Sequence, residues 1–267
     1  MHTVSRSGPA LDAPRSDPLI SVIIPAWNEA RELPATLANL RDVLAERSEP
    51  AELIVVDNAS DDATAAVAAA GGARVVTEPH RQIARARNAG ARAARGQLLL
   101  FIDADTRPPA ALVHTAIDLL RSGQCCGGGG HLRFEDGGNA LLRIGANAWN
   151  RLASGLSLGA GCFLFATRDA FAAIGGFDEH YYAGEEIGFS RRLRRYGKHH
   201  AQPLRIIDQP PVLTSPRKAD WHGIWQQLGL LLLVLVYPFA LRSRRLCWFW
   251  YQRPTTDSAQ RCGNTGP

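Results

Sequence analysis

The chain has 267 residues, 46% of them apolar, which calls for one large domain, alone or with an appendage, and excludes a disordered chain. The formal net charge of +5 rests on arginine, since Lys198 and Lys218 are the two lysines; the skew reads either as the mark of an arginine-rich, GC-rich genome or as a preference for phosphate groups or an anionic membrane surface, with no sign of nucleic-acid binding. Five cysteines, with Cys125 and Cys126 adjacent, form no disulfide framework and show no zinc spacing, so a reducing cytosol is the expected compartment.

Met1 to Pro18 holds Ser, Pro, Arg and Asp without a signal-peptide apolar stretch and reads as a flexible tail. Strand-length apolar runs then appear at Leu19 to Pro25, Glu52 to Asp57, Arg74 to Thr77 and Gln97 to Asp103. Helical stretches separate them. Asn28 to Glu46 places Leu33, Leu37, Leu40 and Leu44 at helical spacing, Asp61 to Ala70 is alanine-rich behind Ser60, and Ile83 to Ala94 ends at Gly96. The alternation predicts an α/β fold, a Rossmann-like, mostly parallel sheet with right-handed crossovers and flanking helices. The second half is less regular. Gly127 to Gly130 reads as a flexible turn into a strand at His131 to Phe134, Gly159 to Ala166 as another strand, and Glu185 to Tyr196 as a helix. The expected boundaries are a domain over 19–207, an apolar and basic helical segment over 208–254 and a tail over 255–267.

Ligands of parallel sheets bind beyond the carboxyl ends of the strands. Those ends are Pro25 to Glu29, with Trp27 between them, then Asp57-Asn58, then Asp103-Ala104-Asp105. In an extended segment Asp103 and Asp105 point the same way and can share one hard cation, Mg²⁺ or Mn²⁺, with positions left open for phosphate oxygens; acids at a strand end can also simply cap the turn before Pro108. Asp57 can accept a hydrogen bond from a base, or close an Asx-turn. Arg81, Arg85 and Arg87 precede the D-x-D strand and suit a diphosphate, or a solvated basic helix face. Glu186 shares a helix face with Phe189 and Leu193, while Glu185 is expected to lie off that face, so Glu186 is the candidate general base and Glu185 the weaker one. Either acid also suits the positive end of a helix.

The segments SVIIPAWNEA, ELIVVDNASDD, ARARNAGARAARGQLLLFIDADTRPP, GAGCFLFATRDAFAAIGGFDE and GEEIGFSRRLRRYG, in this order from Ser21 to Tyr196, resemble glycosyltransferase family 2. The resemblance implies a GT-A fold and inverting transfer of a sugar from a nucleotide-diphosphate donor, with a UDP-sugar favoured, to an acceptor hydroxyl in glycan, glycolipid or cell-envelope synthesis. It implies that Pro25, Glu29 and Asp57 contact the nucleotide and that Asp103 and Asp105 serve ribose, diphosphate and metal. Glu186 falls where the family usually has the aspartate base of a Glu-Asp pair, and is longer by one methylene. Gly188 stands where an acid is common.

Leu228 to Leu241 is a run of fourteen residues without charge, short of the roughly 20 a spanning helix needs. Trp221 and Trp225 precede it, and Arg242, Arg244, Arg245, Trp248, Phe249, Trp250 and Tyr251 follow. Such flanks suit a helix lying in a membrane interface on the inner face of the cell membrane, or one packed on the catalytic domain or a second subunit. Arg217 and Lys218 are weaker diphosphate candidates. Two other enzyme classes need a glycine-rich loop after the first strand: a sugar nucleotidyltransferase a basic one, a nicotinamide dehydrogenase G-x-G-x-x-G; PAWNEA satisfies neither. The alternative that stays open is a non-catalytic module of the same fold that binds nucleotide sugar or scaffolds partners.

Overall fold

The structure is a computed structural model and describes residues 19–134, 150–151, 158–159, 161–214 and 241–247. Its first half runs β1 (Ile20–Ala26), α1 (Leu33–Ala45), β2 (Ala51–Asp57), α2 (Thr64–Ala70), β3 (Arg74–Thr77), α3 (Ile83–Ala93) and β4 (Leu98–Ile102). There follow β5 (Thr106–Arg107), α4 (Ala110–Arg121), β6 (Gly127–Phe134), β7 (Phe163–Thr167), α5 (Arg168–Ala173), α6 (Glu185–His199) and β8 (Arg205–Thr214). The strands form one sheet in the order β3-β2-β1-β4-β7-β6-β8-β5. The β3-β2-β1-β4 half is parallel, as expected, and β7 turns antiparallel against both β4 and β6.

The period of two along each strand divides the core. Ile20, Val22 and Ile24 of β1 and Leu98, Leu100 and Ile102 of β4 face α1, α2 and α4. Ile23, Leu99 and Phe101 face α3, α5 and α6 from the other side. Both faces are covered, which is why these strands read as continuous apolar runs rather than alternating ones. Helix α3 lies especially close to the sheet, because a Cβ at Gly90 would collide with Ile23 and Val56. Its ARARNAG core of small residues allows that approach.

Several elements differ from the expectation. Helix α1 starts at Leu33 with Pro34 in its first turn, so 28–32 are free to form a rim loop. Residues 127–130 are strand, not a flexible turn: Gly128 runs so close to β8 that a Cβ would collide with the Arg205 carbonyl oxygen. Strand β8 carries the sheet through Thr214, past the expected boundary at 207, so the segment after 207 opens as strand rather than helix. Pro210 and Pro211 disguise it; they fall where pairing with β6 skips from Gly130↔Ile207 to Leu132↔Val212, so the register break absorbs residues unable to donate to the ladder. Helix α4, to which the sequence expectation gives no element, buries Leu112, Val113, Ala116, Ile117 and Leu120. The apolar run from 228 lies outside the described residues up to its last member, Leu241.

Candidate active site

The first two strand ends are bound to each other. Asn28 takes the left-handed conformation (φ 53°), its N–H donates to Ser60 Oγ (3.0 Å), and its Oδ1 accepts from Asp61 N (2.7 Å). The Glu29 N–H donates to Thr64 Oγ1 (2.8 Å), which holds the buried Glu29 beside the start of α2. Asp57 accepts from Ser60 N (3.2 Å), three residues on, and closes the turn at this strand end while staying partly exposed at the rim. Asn58, given no role in the sequence, is buried and ties this rim to the next loop, donating to the Glu78 and His80 carbonyls and accepting from Gln82 N. Across the same opening the Arg81 guanidinium stacks 3.6 Å from the centroid of the Trp27 ring, so two candidate nucleotide contacts meet in one cation–π pair. Pro25 is buried within β1, paired with Val56.

The D-x-D segment departs from its expected geometry. β4 ends at Ile102 and the chain turns at once, with Thr106 N donating to Asp103 O (3.1 Å). The alternation of an extended strand therefore does not orient the two acids. Thr36 Oγ1 anchors the turn by donating to the Ala104 carbonyl (2.7 Å). Asp105 is buried and Asp103 lies half-open at the rim.

Arg87, a diphosphate candidate, is enclosed among protein partners. Its side chain is 2% exposed. Nη1 donates to Glu185 Oε1, and Nη2 donates to Asp103 Oδ1 (3.1 Å) and the Gly161 carbonyl (2.7 Å). The ring of Phe177 lies 5.2 Å beneath the guanidinium, within a cluster with Phe101, Phe171 and Phe189. Arg85 is likewise occupied, by Gln82 and Glu179.

The expected orientation of the acid pair also needs correction. Glu185 does not lie off the packed face of α6; it is buried one turn ahead of Phe189 and paired with Arg87. Glu186 is the more exposed of the two. Its carboxyl carbon lies 3.6 Å from where a Cβ on Gly161 would stand, an ordinary contact that sets the carboxyl beside the Gly161 loop. Glu185 precedes Phe189 by four residues, so helical spacing itself puts it on the packed face, and its pairing with Arg87 encloses it there. Burial, then the neighbouring Glu185 carboxylate, pushes the Glu186 carboxyl up to about 8.

Three acids, Asp103, Glu185 and Glu186, thus gather around one buried guanidinium, with Asp105 buried in the adjoining turn. Among the described residues no group of three or more His, Cys, Asp or Glu side chains is arranged to hold a metal ion. The oxygen donors of Asp103 and Asp105 still suit a hard cation that keeps most of its positions for phosphate and water. Arg217 and Lys218 lie outside the described residues. Residues 241–247 dock on the domain: Tyr182 N donates to Leu241 O (2.7 Å), Cys247 is buried near Ala183, and Arg242 lies over the Tyr181 ring (4.9 Å). Among the described residues no helix is long and apolar enough to cross a membrane.

Comparison with known proteins gives the following likenesses. Residues 21–175 match the family described as Glycosyl transferase family 2. Glycosyltransferase AglE of Haloferax volcanii is 27% identical over 197 residues, 67% of this chain and 62% of that protein. An uncharacterized glycosyltransferase of Mycobacterium tuberculosis is 42% identical over 88 residues, 32% of this chain and 36% of that one. The chain therefore spans less than two thirds of the length of these relatives. Among solved structures, glucosyl-3-phosphoglycerate synthase from Mycobacterium tuberculosis, in complex with Mn²⁺, UDP and glucosyl-3-phosphoglycerate, is similar with TM-score 0.58 and 21% identity over 90% of this chain and 86% of that one. The mannosyltransferase PcManGT from Pyrobaculum calidifontis, in complex with GDP-Man and Mn²⁺, gives TM-score 0.59 and 17% identity over 93% and 80%.

Proposed function

The chain belongs to glycosyl transferase family 2, and from that we propose that it transfers a sugar, with inversion, from a nucleotide-diphosphate donor to an acceptor hydroxyl. The observation that carries the reading is the meeting of two acidic motifs at one rim: the D-x-D turn and the start of α6 converge on the same Arg87 guanidinium. A binding module needs the first motif; it has no use for a second acid with a raised affinity for protons beside the first.

Asp103 and Asp105 are the residues that would hold Mg²⁺ or Mn²⁺, and the bound ion would supply charge compensation for the leaving diphosphate. Trp27, Asp57 and Arg81 at the rim, with Pro25 and Glu29 buried behind it, are the residues that would contact the nucleotide. A UDP-sugar is the favoured donor, with Asp57 at the base. Glu186 takes the proton of the attacking hydroxyl, and its partial exposure beside Gly161 suits that role better than the enclosed position of Glu185. The acceptor hydroxyl then attacks the anomeric carbon from the face opposite the diphosphate, and the nucleotide leaves. The protein's share is orientation and preorganised charge.

We further propose a peripheral place on the inner face of the membrane. The support is the sequence around the docked strip 241–247, where Arg242, Arg244 and Arg245 are exposed and Trp248, Phe249 and Trp250 follow. The test of the enzymatic reading is nucleotide release from UDP-, GDP- and dTDP-sugars with and without Mn²⁺. Release that depends on the metal and disappears in Asp105→Asn is expected; full release in excess chelator overturns the metal assignment, and none from any donor leaves the binding module.

A further inference from the structure

We propose that Arg87 is a positioning residue that fixes the metal-binding acid Asp103 relative to α6 and thereby sets the gap between the two chemical halves of the site. The inference rests on the glycosyltransferase reading above. Arg87 sits on α3, and its fork spans three other parts of the chain: the turn after β4 through Asp103, the loop before β7 through the Gly161 carbonyl, and the first turn of α6 through Glu185. The D-x-D turn and α6 are 80 residues apart in sequence at their nearest acids, Asp105 and Glu185.

The arrangement separates holding from chemistry. The guanidinium is enclosed on all sides, with Phe177 under one face and 2% of the side chain exposed, so it cannot follow a diphosphate in and out of the cleft. Its opposite charge lowers the cost of packing Asp103, Glu185 and Glu186 together. A lysine could supply that charge but not the planar fork that reaches three acceptors at once. Glu185 is then the α6 anchor of Arg87, which leaves Glu186, the adjacent acid, turned to the cleft. Helix α3 can carry so large a cation inside because its alanines and Gly90 bring it hard against β1 and β2, with the arginine stem running toward the rim.

The experiment compares the full chain with Arg87→Lys, Arg87→Met and the charge-balanced pair Arg87→Met/Glu185→Gln. Thermal unfolding is measured without metal, Mn²⁺-dependent UDP binding by calorimetry, and kcat and KM for the donor separately. Arg87→Met is expected to melt lower, because it strands Glu185 in a buried place. The double variant, which removes both charges, is expected to recover most of that loss, yet still to bind Mn²⁺ and UDP about 10–100-fold more weakly, as when a group that orients a metal ligand is removed. Arg87→Lys, which keeps the charge and so the fold, should show the same weakened binding with a lower kcat. A double or lysine variant that binds Mn²⁺ and UDP as the native chain does overturns the inference alone. A native chain that binds no nucleotide with Mn²⁺ overturns the donor reading, and this one with it.

Discussion

Glu185→Ala and Glu186→Gln should fail in different ways, and the difference follows from a single helical turn. Glu185 is 3% exposed and Arg87 2%, so truncating the acid leaves a buried cation short of its strongest partner. Breaking a buried ion pair costs about 3–5 kcal/mol. Asp103, 3.1 Å from Nη2, keeps part of the charge balanced, which favours the lower end of that range. At about 2–4 °C per kcal/mol for a domain of this size, the melting temperature should fall by roughly 6–12 °C. Glu186→Gln keeps the shape and removes a carboxyl that the fold disfavours in its charged form, so it should leave the melting temperature unchanged or higher at neutral pH. Its cost should appear in kcat, by about 10²–10⁴ if it is the general base, with donor affinity preserved. Scanning calorimetry on both variants, with single-turnover transfer on Glu186→Gln and on the shape-preserving Glu185→Gln, checks the division. If Glu185→Ala melts with the native protein, the buried pair has been misjudged. If Glu185→Gln is folded and dead while Glu186→Gln transfers normally, the base is one residue earlier.

Transfer at saturating donor should lose rate as pH falls from about 8, because Glu186 must be ionised to accept a proton and its folded-state affinity for protons is raised; a rate that does not change with pH would refute the placement. Bound Mn²⁺ should move that limb down, since a nearby cation favours the carboxylate, and titrating the metal at fixed donor reports it. Asp57→Ala should weaken UDP binding by calorimetry while leaving the fold intact, and tighter binding of GDP than UDP by the native chain would count against uridine. Liposome flotation of the full chain against a truncation after Thr214 should show anionic vesicles retaining only the former, and equal recovery in the soluble fraction would assign the C-terminal strip to docking on the domain alone.

The alternation of β-length apolar runs with helical stretches was enough to place the parallel half of the sheet, because strands covered on both faces must be apolar at every position. The same logic put Asp57, Asp103 and Asp105 at one rim, since parallel strands end on the same side. Local sequence could not show β8, whose Pro210 and Pro211 look like a break until the register skip against β6 accounts for them. Nor could it show why residues 127–129 are glycine, which is a matter of how near β7 passes Gly127, β8 Gly128 and Gly159 Gly129. The acid pair marks the limit most sharply. The 3.6-residue period brings both Glu185, four residues before Phe189, and Glu186, three before it, to the packed side, and which of the two carboxylates is enclosed depends on Arg87 from a helix about a hundred residues earlier in the chain. Side-chain direction is a property of the segment; burial and charge are properties of what other segments bring to it, and only the tertiary structure supplies those.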